Sequence, residues 1–239
     1  QIEIINNRAK REKAIEKAAA NKKTEIQYVG IPRNVIMTKS NTVFDFSYKN
    51  LLLKKLRTTL HGLYQTENIS LAIASVYELS KRDGFSVDKD TVRQVLGSLD
   101  IPGRFQIQSF REKTIIIDGA HNVQKMEAFI SSLIQIFPGT QFDFLLAFKN
   151  GKDIRGMLKI ITPVARKMYI TEFAIYDQGL VLKPATSQDI IDVLESEGFK
   201  NYTIIKNANE ALKSALTSSH TNIVITGSMY LVSELYDKI

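Results

Sequence analysis

After residue 104, short apolar segments rich in β-branched residues alternate with segments of helical periodicity. The apolar segments predict strands at 105–110, 114–117, 141–148, 167–171, 202–205 and 222–226. The segments between them predict helices at 123–136, 154–161, 187–195, 208–216 and 228–237. A repeated strand–helix order is typical of a mostly parallel sheet with helices on both faces. The predicted fold class is therefore α/β, with a Rossmann-like domain in the C-terminal part of the chain.

A different pattern precedes this domain and meets it at Pro102-Gly103, a pair that predicts a turn or hinge. The elements predicted before the hinge are a strand at 25–29, a hairpin at 34–47 continued by 48–60, and helices at 66–80 and 88–99. We expect the domain boundary at this hinge, between residues 1–102 and residues 103–239.

Composition limits the class of protein to which this chain can belong. The absence of cysteine excludes disulfides and thiolate metal sites, and no apolar run approaches the ~18 residues of a membrane span. The net charge of +7 favours an anionic ligand. Much of the positive excess lies between Arg8 and Lys23, where mixed signs predict a solvated helix. Since no aromatic residues are interleaved with these charges, we expect no nucleic-acid partner.

The first candidate site follows the strand at 114–117, where the chain continues as Asp118-Gly119-Ala120-His121-Asn122. Open α/β sheets bind ligands at the carboxyl ends of their strands, and the start of the following helix favours negative charge. Asp118 could accept a hydrogen bond from a ribose or an ammonium group, and His121 could contact a phosphate or a carboxylate. The simple alternative is a strand-to-helix turn in which Asn122 caps the helix.

Two further segments supply candidates for binding phosphate and a base. Arg104 directly follows the hinge, so its guanidinium could swing onto phosphate oxygens, with a surface salt bridge as the simple alternative. Gln65 and Asn68 lie at the start of a predicted helix, where an amide could bond an adenine edge. The alternative there is a helix cap formed by Thr66.

The last strand is followed by Thr226-Gly227-Ser228-Met229-Tyr230. A hydroxyl at this strand end, above a helix start, could hold a carboxylate. Ser228 could equally cap the last helix, and the two interpretations are compatible.

In this order, the motifs resemble those of the folylpolyglutamate synthases, a branch of the Mur ligase superfamily of ATP-dependent enzymes that form amide bonds. The resemblance implies that residues 1–102 are the last part of the ATPase domain and residues 103–239 the C-terminal glutamate ligase domain. It implies a cytoplasmic, monomeric ligase that adds L-glutamate to a folate through an acyl phosphate. Whether dihydrofolate synthase activity accompanies this reaction stays open.

The same resemblance implies roles for the candidate residues. Arg104 is expected to neutralise phosphate charge, while Asp118 and His121 contact the nucleotide or position the phosphoryl group; these three are the expected catalytic residues. Gln65 and Asn68 are expected to hold the base of ATP. In the family the Ser and Tyr of Thr-Gly-Ser-x-Tyr lie near the incoming glutamate. The resemblance therefore implies that Ser228 and Tyr230 bind this substrate.

The departures from the family that bear on function are a substitution at residue 64 and the absence of a phosphate loop. Tyr64 stands where His is usual in Gly-x-His-Gln-x-x-Asn, which puts any role of that His in doubt. A Walker A loop does not occur, because the one Gly-Lys pair, Gly151-Lys152, is followed by Asp153. The phosphate loop and the Mg²⁺ ligands are therefore expected outside this chain, and we interpret it as a fragment that does not turn over alone.

Two alternatives stay open. One is another Mur-type ligase that adds an amino acid to a cell-wall precursor, although such enzymes more often carry Asp-Tyr-Ala-His in place of residues 118–121. The other is a non-catalytic protein that keeps the fold and binds an anionic ligand at the ends of the strands at 114–117 and 223–226.

Overall fold

The computed structural model describes residues 13, 15–18, 20, 26–173, 175–177 and 180–239. Residues 13, 15–18 and 20 are helical, and the rest of the predicted basic helix lies outside the described residues. The strand predicted at 25–29 is wrong where it is described, since residues 26–29 pair with no strand of the described chain.

The part before the hinge is a three-stranded antiparallel sheet covered by two helices. Its elements are β1 (Arg33–Met37), β2 (Thr42–Tyr48), β3 (Leu51–Thr58), α1 (Leu63–Asp83) and α2 (Lys89–Gly97). The strands pair in the order β1-β2-β3, which confirms the predicted hairpin and its continuation. Alternate residues of β2, Phe44 and Phe46 among them, are buried against Ile69 and Ile73 of α1. A separate hydrophobic core thus forms before the hinge.

The part after the hinge consists of a six-stranded sheet with helices on both faces and a separate two-stranded antiparallel hairpin. Its elements are β4 (Gln106–Phe110), β5 (Lys113–Ile117), α3 (Val123–Ile136), β6 (Phe142–Leu146), α4 (Ile154–Ile161), β7 (Ala165–Glu172), β8 (Ile175–Asp177), β9 (Leu180–Leu182), α5 (Ser187–Ser196), β10 (Tyr202–Asn207), α6 (Ala208–Thr217), β11 (Asn222–Thr226) and α7 (Met229–Leu235). The strand order is β10-β7-β6-β11-β5-β4. All neighbours pair in parallel except β4 with β5. The predicted α/β class is confirmed.

Successive residues of each central strand point to opposite faces of this sheet, as the period of a β-strand requires. One face packs against α3, α4 and α5 through a core that includes Ile116, Phe144 and Val224. The other packs against α6 and α7 through a core that includes Ile115 and Ile225. Burial on both faces explains why these strands are continuous apolar runs. No helix in the described part of the chain has the length and hydropathy for a bilayer crossing.

Candidate functional site

A cavity of about 520 Å³ lies between the start of α1, the hinge and the start of α3. Its lining includes four of the seven predicted site residues: Gln65, Asn68, Arg104 and Asp118. The remaining lining residues are Tyr64, Ile101, Gln124, Lys125 and Ala128. The volume lies within the range of small-molecule sites, ~300–1,000 Å³. Residues that are far apart in the sequence thus converge on a single cavity.

The Asp118 carboxylate accepts hydrogen bonds from three segments of the chain. Its Oδ2 accepts from the Tyr64 hydroxyl at 2.9 Å and from the Phe105 backbone N–H at 3.0 Å. Its Oδ1 accepts from the Ala120 backbone N–H at 2.7 Å. Burial raises the pKa of Asp118 to about 6, while these donors and the charge of Arg104 act in the opposite direction. At neutral pH the group is a buried carboxylate whose negative charge is stabilised by these hydrogen-bond donors.

Tyr64 lies one residue into α1. Burial, followed by the negative charge of Asp118, raises the pKa of its phenol far above the usual value. The hydroxyl therefore stays protonated and donates to Asp118. Sequence reasoning noticed Tyr64 as a departure from the family but assigned it no role.

The hinge places Arg104 between two backbone positions with positive φ. Gly103 has φ +69°, and Phe105 has φ +43°, which is costly for a residue with a side chain. The Phe105 ring is fully buried, 5.0 Å from the Phe129 ring and 5.7 Å from the His61 ring, centroid to centroid. This packing and the bond to Asp118 hold the strained backbone in place.

The Arg104 guanidinium lines the cavity and forms no salt bridge with a carboxylate of the described residues. The salt-bridge alternative for Arg104 is therefore not supported. An unpaired guanidinium beside a cavity favours an anionic ligand.

His121 lies beside the cavity and contacts it through Lys125. Its Nδ1 is 2.8 Å from the Gly119 carbonyl oxygen, which can only accept, so Nδ1 carries the proton. Its Nε2 is 3.3 Å from Lys125 Nζ and accepts from that ammonium group. Burial lowers the pKa of His121, and the charges of Lys125, Lys152 and Arg104 lower it further. The imidazole is therefore a neutral side chain that orients a lysine.

Lys125 is a cavity residue that sequence reasoning missed. It lies in the first turn of α3, whereas His121 precedes the N-cap Asn122 and is outside the helix. A lysine in the first turn of the helix that follows a strand-end loop was the signal that could have found it. The predicted cap at Asn122 is confirmed, since its Oδ1 accepts from the Lys125 backbone N–H at 2.9 Å.

The two amides of α1 are hydrogen-bonded to each other. Asn68 Nδ2 donates to Gln65 Oε1 over 3.0 Å, which fixes their relative orientation. Gln65 is buried and Asn68 is exposed. The alternative of a Thr66 cap is wrong, because α1 begins at Leu63 and the Thr66 hydroxyl donates to the Leu63 carbonyl within the helix.

Ser228 and Tyr230 do not line the cavity. Ser228 is buried and its Oγ accepts from the Tyr230 backbone N–H at 3.1 Å, which confirms the predicted helix cap. The Tyr230 ring packs against Phe173 at 5.4 Å, next to the core that lies under α6 and α7. A contact of either residue with glutamate stays a prediction.

Met229, in this last motif, packs against Gly119 and Gly103, which neighbour the cavity residues Asp118 and Arg104. A Cβ on Gly119 would lie 1.8 Å from Met229 Sδ, and one on Gly103 would lie 3.1 Å from Met229 Cε. The Gly119 backbone N–H also donates to the Gly103 carbonyl at 2.9 Å. The hinge and the loop after β5 therefore need glycine at both positions in order to pack on the start of α7.

The cavity combines two cations, Arg104 and Lys125, with an amide pair and a buried carboxylate. The cations are groups of the kind that bind phosphates, and the amides can hydrogen-bond the donors and acceptors of a base. Within the described ranges, no group of three or more His, Cys, Asp or Glu side chains could hold a metal ion.

Comparison with known proteins shows the family to which the chain belongs. A family model described as "Dihydrofolate synthetase, C-terminal domain" matches residues 102–238. A dihydrofolate synthase/folylpolyglutamate synthase of Bacillus subtilis is 23% identical over 201 residues, which cover 80% of this chain and 43% of the relative. A dihydrofolate synthetase of Saccharomyces cerevisiae is 25% identical over 213 residues, which cover 84% of this chain and 48% of the relative.

Solved structures share the fold. The folylpolyglutamate synthase of Mycobacterium tuberculosis complexed with ADP and AMPPCP matches with a TM-score of 0.76 at 21% identity, over 94% of this chain and 52% of that chain. E. coli FolC in complex with DHPP and ADP matches with a TM-score of 0.73 at 22% identity, over 95% of this chain and 50% of that chain. The chain thus spans about half the length of its relatives. It belongs to the dihydrofolate synthase/folylpolyglutamate synthase family, as its motifs indicate.

Proposed function

We propose that the protein to which these residues belong is an ATP-dependent ligase that adds L-glutamate to a folate. The observation that carries this proposal is the cavity in which Arg104, Asp118, Gln65 and Asn68 converge. Relatives named as folylpolyglutamate and dihydrofolate synthases, and family structures complexed with ADP, support it.

The cavity fits a nucleotide in size and in chemistry. The amides of Gln65 and Asn68 would bind the base, which offers both donors and acceptors. Arg104 and Lys125 would bind the phosphates, and the start of α3 favours the same charge. Bound ATP supplies the phosphoryl group that converts a folate carboxylate into an acyl phosphate. We expect Mg²⁺ to be held by residues outside this chain.

The described residues would act by positioning and charge neutralisation, because this reaction needs no protein nucleophile. Arg104 would offset the negative charge that develops on the transferred phosphoryl group. His121, as a neutral imidazole, would hold Lys125 in place beside the phosphates. Ser228 and Tyr230 would seat the glutamate that attacks the activated carbonyl.

The test is incorporation of labelled L-glutamate by the complete gene product, with ATP and Mg²⁺. Dihydropteroate and tetrahydrofolate are offered separately, so that dihydrofolate synthase and folylpolyglutamate synthase activities are distinguished. We expect turnover with at least one of them, and none by residues 1–239 alone. Turnover only with a muramyl-peptide acceptor would assign the protein to the cell-wall ligases. Absence of turnover with all three would favour a non-catalytic protein.

A further inference from the structure

The hydrogen bond from the Tyr64 hydroxyl to Asp118 Oδ2 crosses the hinge. The two residues are 54 positions apart, and the bond measures 2.9 Å. Tyr64 belongs to the first turn of α1, before the hinge, whereas Asp118 directly follows β5, after it. The bond therefore joins the two parts of the chain at the wall of the cavity that both of them line.

The other hydrogen bonds of Asp118 are made with residues that lie after the hinge, as Asp118 itself does. Its other two bonds come from the backbone of Phe105, two residues after the hinge, and of Ala120 in its own loop. Since the side chain is only 3% exposed, water offers it little competition. Tyr64 is the one donor to Asp118 among the described residues that lies before the hinge.

Any change at Tyr64 acts on the residues that follow it in the same helix turn. Gln65 and Asn68 line the same cavity, so the direction in which α1 starts sets where their amides lie. A second contact supports this start: the Leu63 backbone N–H lies 3.3 Å from the Ser132 hydroxyl of α3. The N-terminus of α1 is thus held by one bond to α3 and one to Asp118.

We propose that Tyr64 is a positioning residue for the nucleotide, whose hydroxyl holds Asp118 and so fixes the start of α1 against the hinge. The proposal rests on the proposed function, because it assumes that this cavity binds a nucleotide. Tyr64 touches no reacting atom in this scheme. It acts through Asp118 on the relative placement of Arg104 and the amide pair.

The test compares Tyr64→Phe, which removes only the hydroxyl, with Tyr202→Phe as the matched control. Tyr202 also donates to a carboxylate, Glu195, over 2.8 Å, but at the exposed edge strand β10. In the complete protein we expect Tyr64→Phe to weaken ADP binding by up to about tenfold in calorimetry, because part of the free energy of this bond to a charged group is then spent on ordering the site. Tyr202→Phe should bind ADP like the wild type.

A double-mutant cycle with Asp118→Ala, which removes both acceptor oxygens, shows whether Tyr64 acts through Asp118. Removing the hydroxyl in the Asp118→Ala background should change the ADP affinity less than twofold, on the order of the error of such cycles. In the complete protein, carboxyl ¹³C NMR should show a higher pKa of Asp118 in Tyr64→Phe, because a donor to the charged form is lost. The titration reports the loss of the bond itself, whereas the ADP affinity reports whether the bond positions the nucleotide site.

Wild-type ADP affinity in Tyr64→Phe would overturn the proposal, whether or not the Asp118 titration moves. Equal losses of affinity in both Asp118 backgrounds would overturn it as well. These measurements need no turnover. If the wild type binds ADP with the predicted coupling but forms no amide bond, the ligase proposal fails and the positioning role stands.

Discussion

At the scale of single residues, Asp118 is a buried ionisable group of the site, and its pKa is raised. Its charge lies in a place that excludes water, where three hydrogen bonds and the nearby Arg104 partly offset the cost of desolvation. Tyr64 from α1 and Arg104 from the hinge are the ionisable groups that face it. Because the pKa of Asp118 is raised to about 6 in the folded protein, its protonation is coupled to stability.

The sign of this coupling follows from the direction of the shift. From about pH 4 to about pH 6 the folded protein binds a proton that the unfolded chain has released, so stability falls as the pH rises. Asp118→Asn removes this dependence. Between about pH 4 and pH 7 we expect the unfolding free energy of the wild type to fall by about 2–3 kcal/mol relative to the variant. Urea unfolding over this range measures it, and parallel profiles would contradict a raised pKa.

We predict that, of the residues lining the cavity, Arg104 is the one whose charge the proposed reaction needs most. In the complete protein we expect Arg104→Ala to lower kcat/KM for glutamate incorporation by about 100-fold. Arg104→Lys keeps the charge but loses the planar fork, so an intermediate loss of about tenfold is expected. Steady-state kinetics measure both. The control is Arg82→Ala, which removes an exposed guanidinium paired with Asp83. Equal rates in Arg104→Ala and the control would remove Arg104 from the site.

At the scale of elements, the contact of the hinge and the loop after β5 with α7 is tight. Gly119→Ala would drive its Cβ into Met229, so we expect a loss of about 1–3 kcal/mol in unfolding free energy. Gly97→Ala is the control, because a Cβ there meets nothing within 4 Å. Denaturant unfolding distinguishes the two. A neutral Gly119→Ala, with ADP affinity unchanged, would show that this packing does not support the site.

Elements with a clear period were the predictable ones. Helices α3 and α4 and strand β11 have the predicted bounds, because their apolar residues follow one period without interruption. The β8–β9 hairpin was not predicted, since three-residue strands are too short to show an alternation. The predicted start of α1, residue 66, rests on an apolar face that begins at Ile69, whereas the helix begins at Leu63 and Gly62 precedes it without a side-chain cap.

At the scale of the whole molecule, the site was only partly predictable. The convergence of Arg104 and Asp118 follows from a short hinge next to a strand end. The contact of Asp118 with Tyr64 depends on how the two parts pack across 54 positions, which no local pattern encodes. Ser228 and Tyr230 were grouped with the site by resemblance, although their described contacts form a helix cap and an aromatic pair.

A crystal structure of the complete protein with ADP tests the nucleotide site most directly. We predict the adenine within hydrogen-bond distance of the Asn68 or Gln65 amide, and phosphate oxygens in contact with Arg104 or Lys125. ADP bound elsewhere, with the Arg104 guanidinium out of reach of every phosphate oxygen, would contradict the assignment of this cavity.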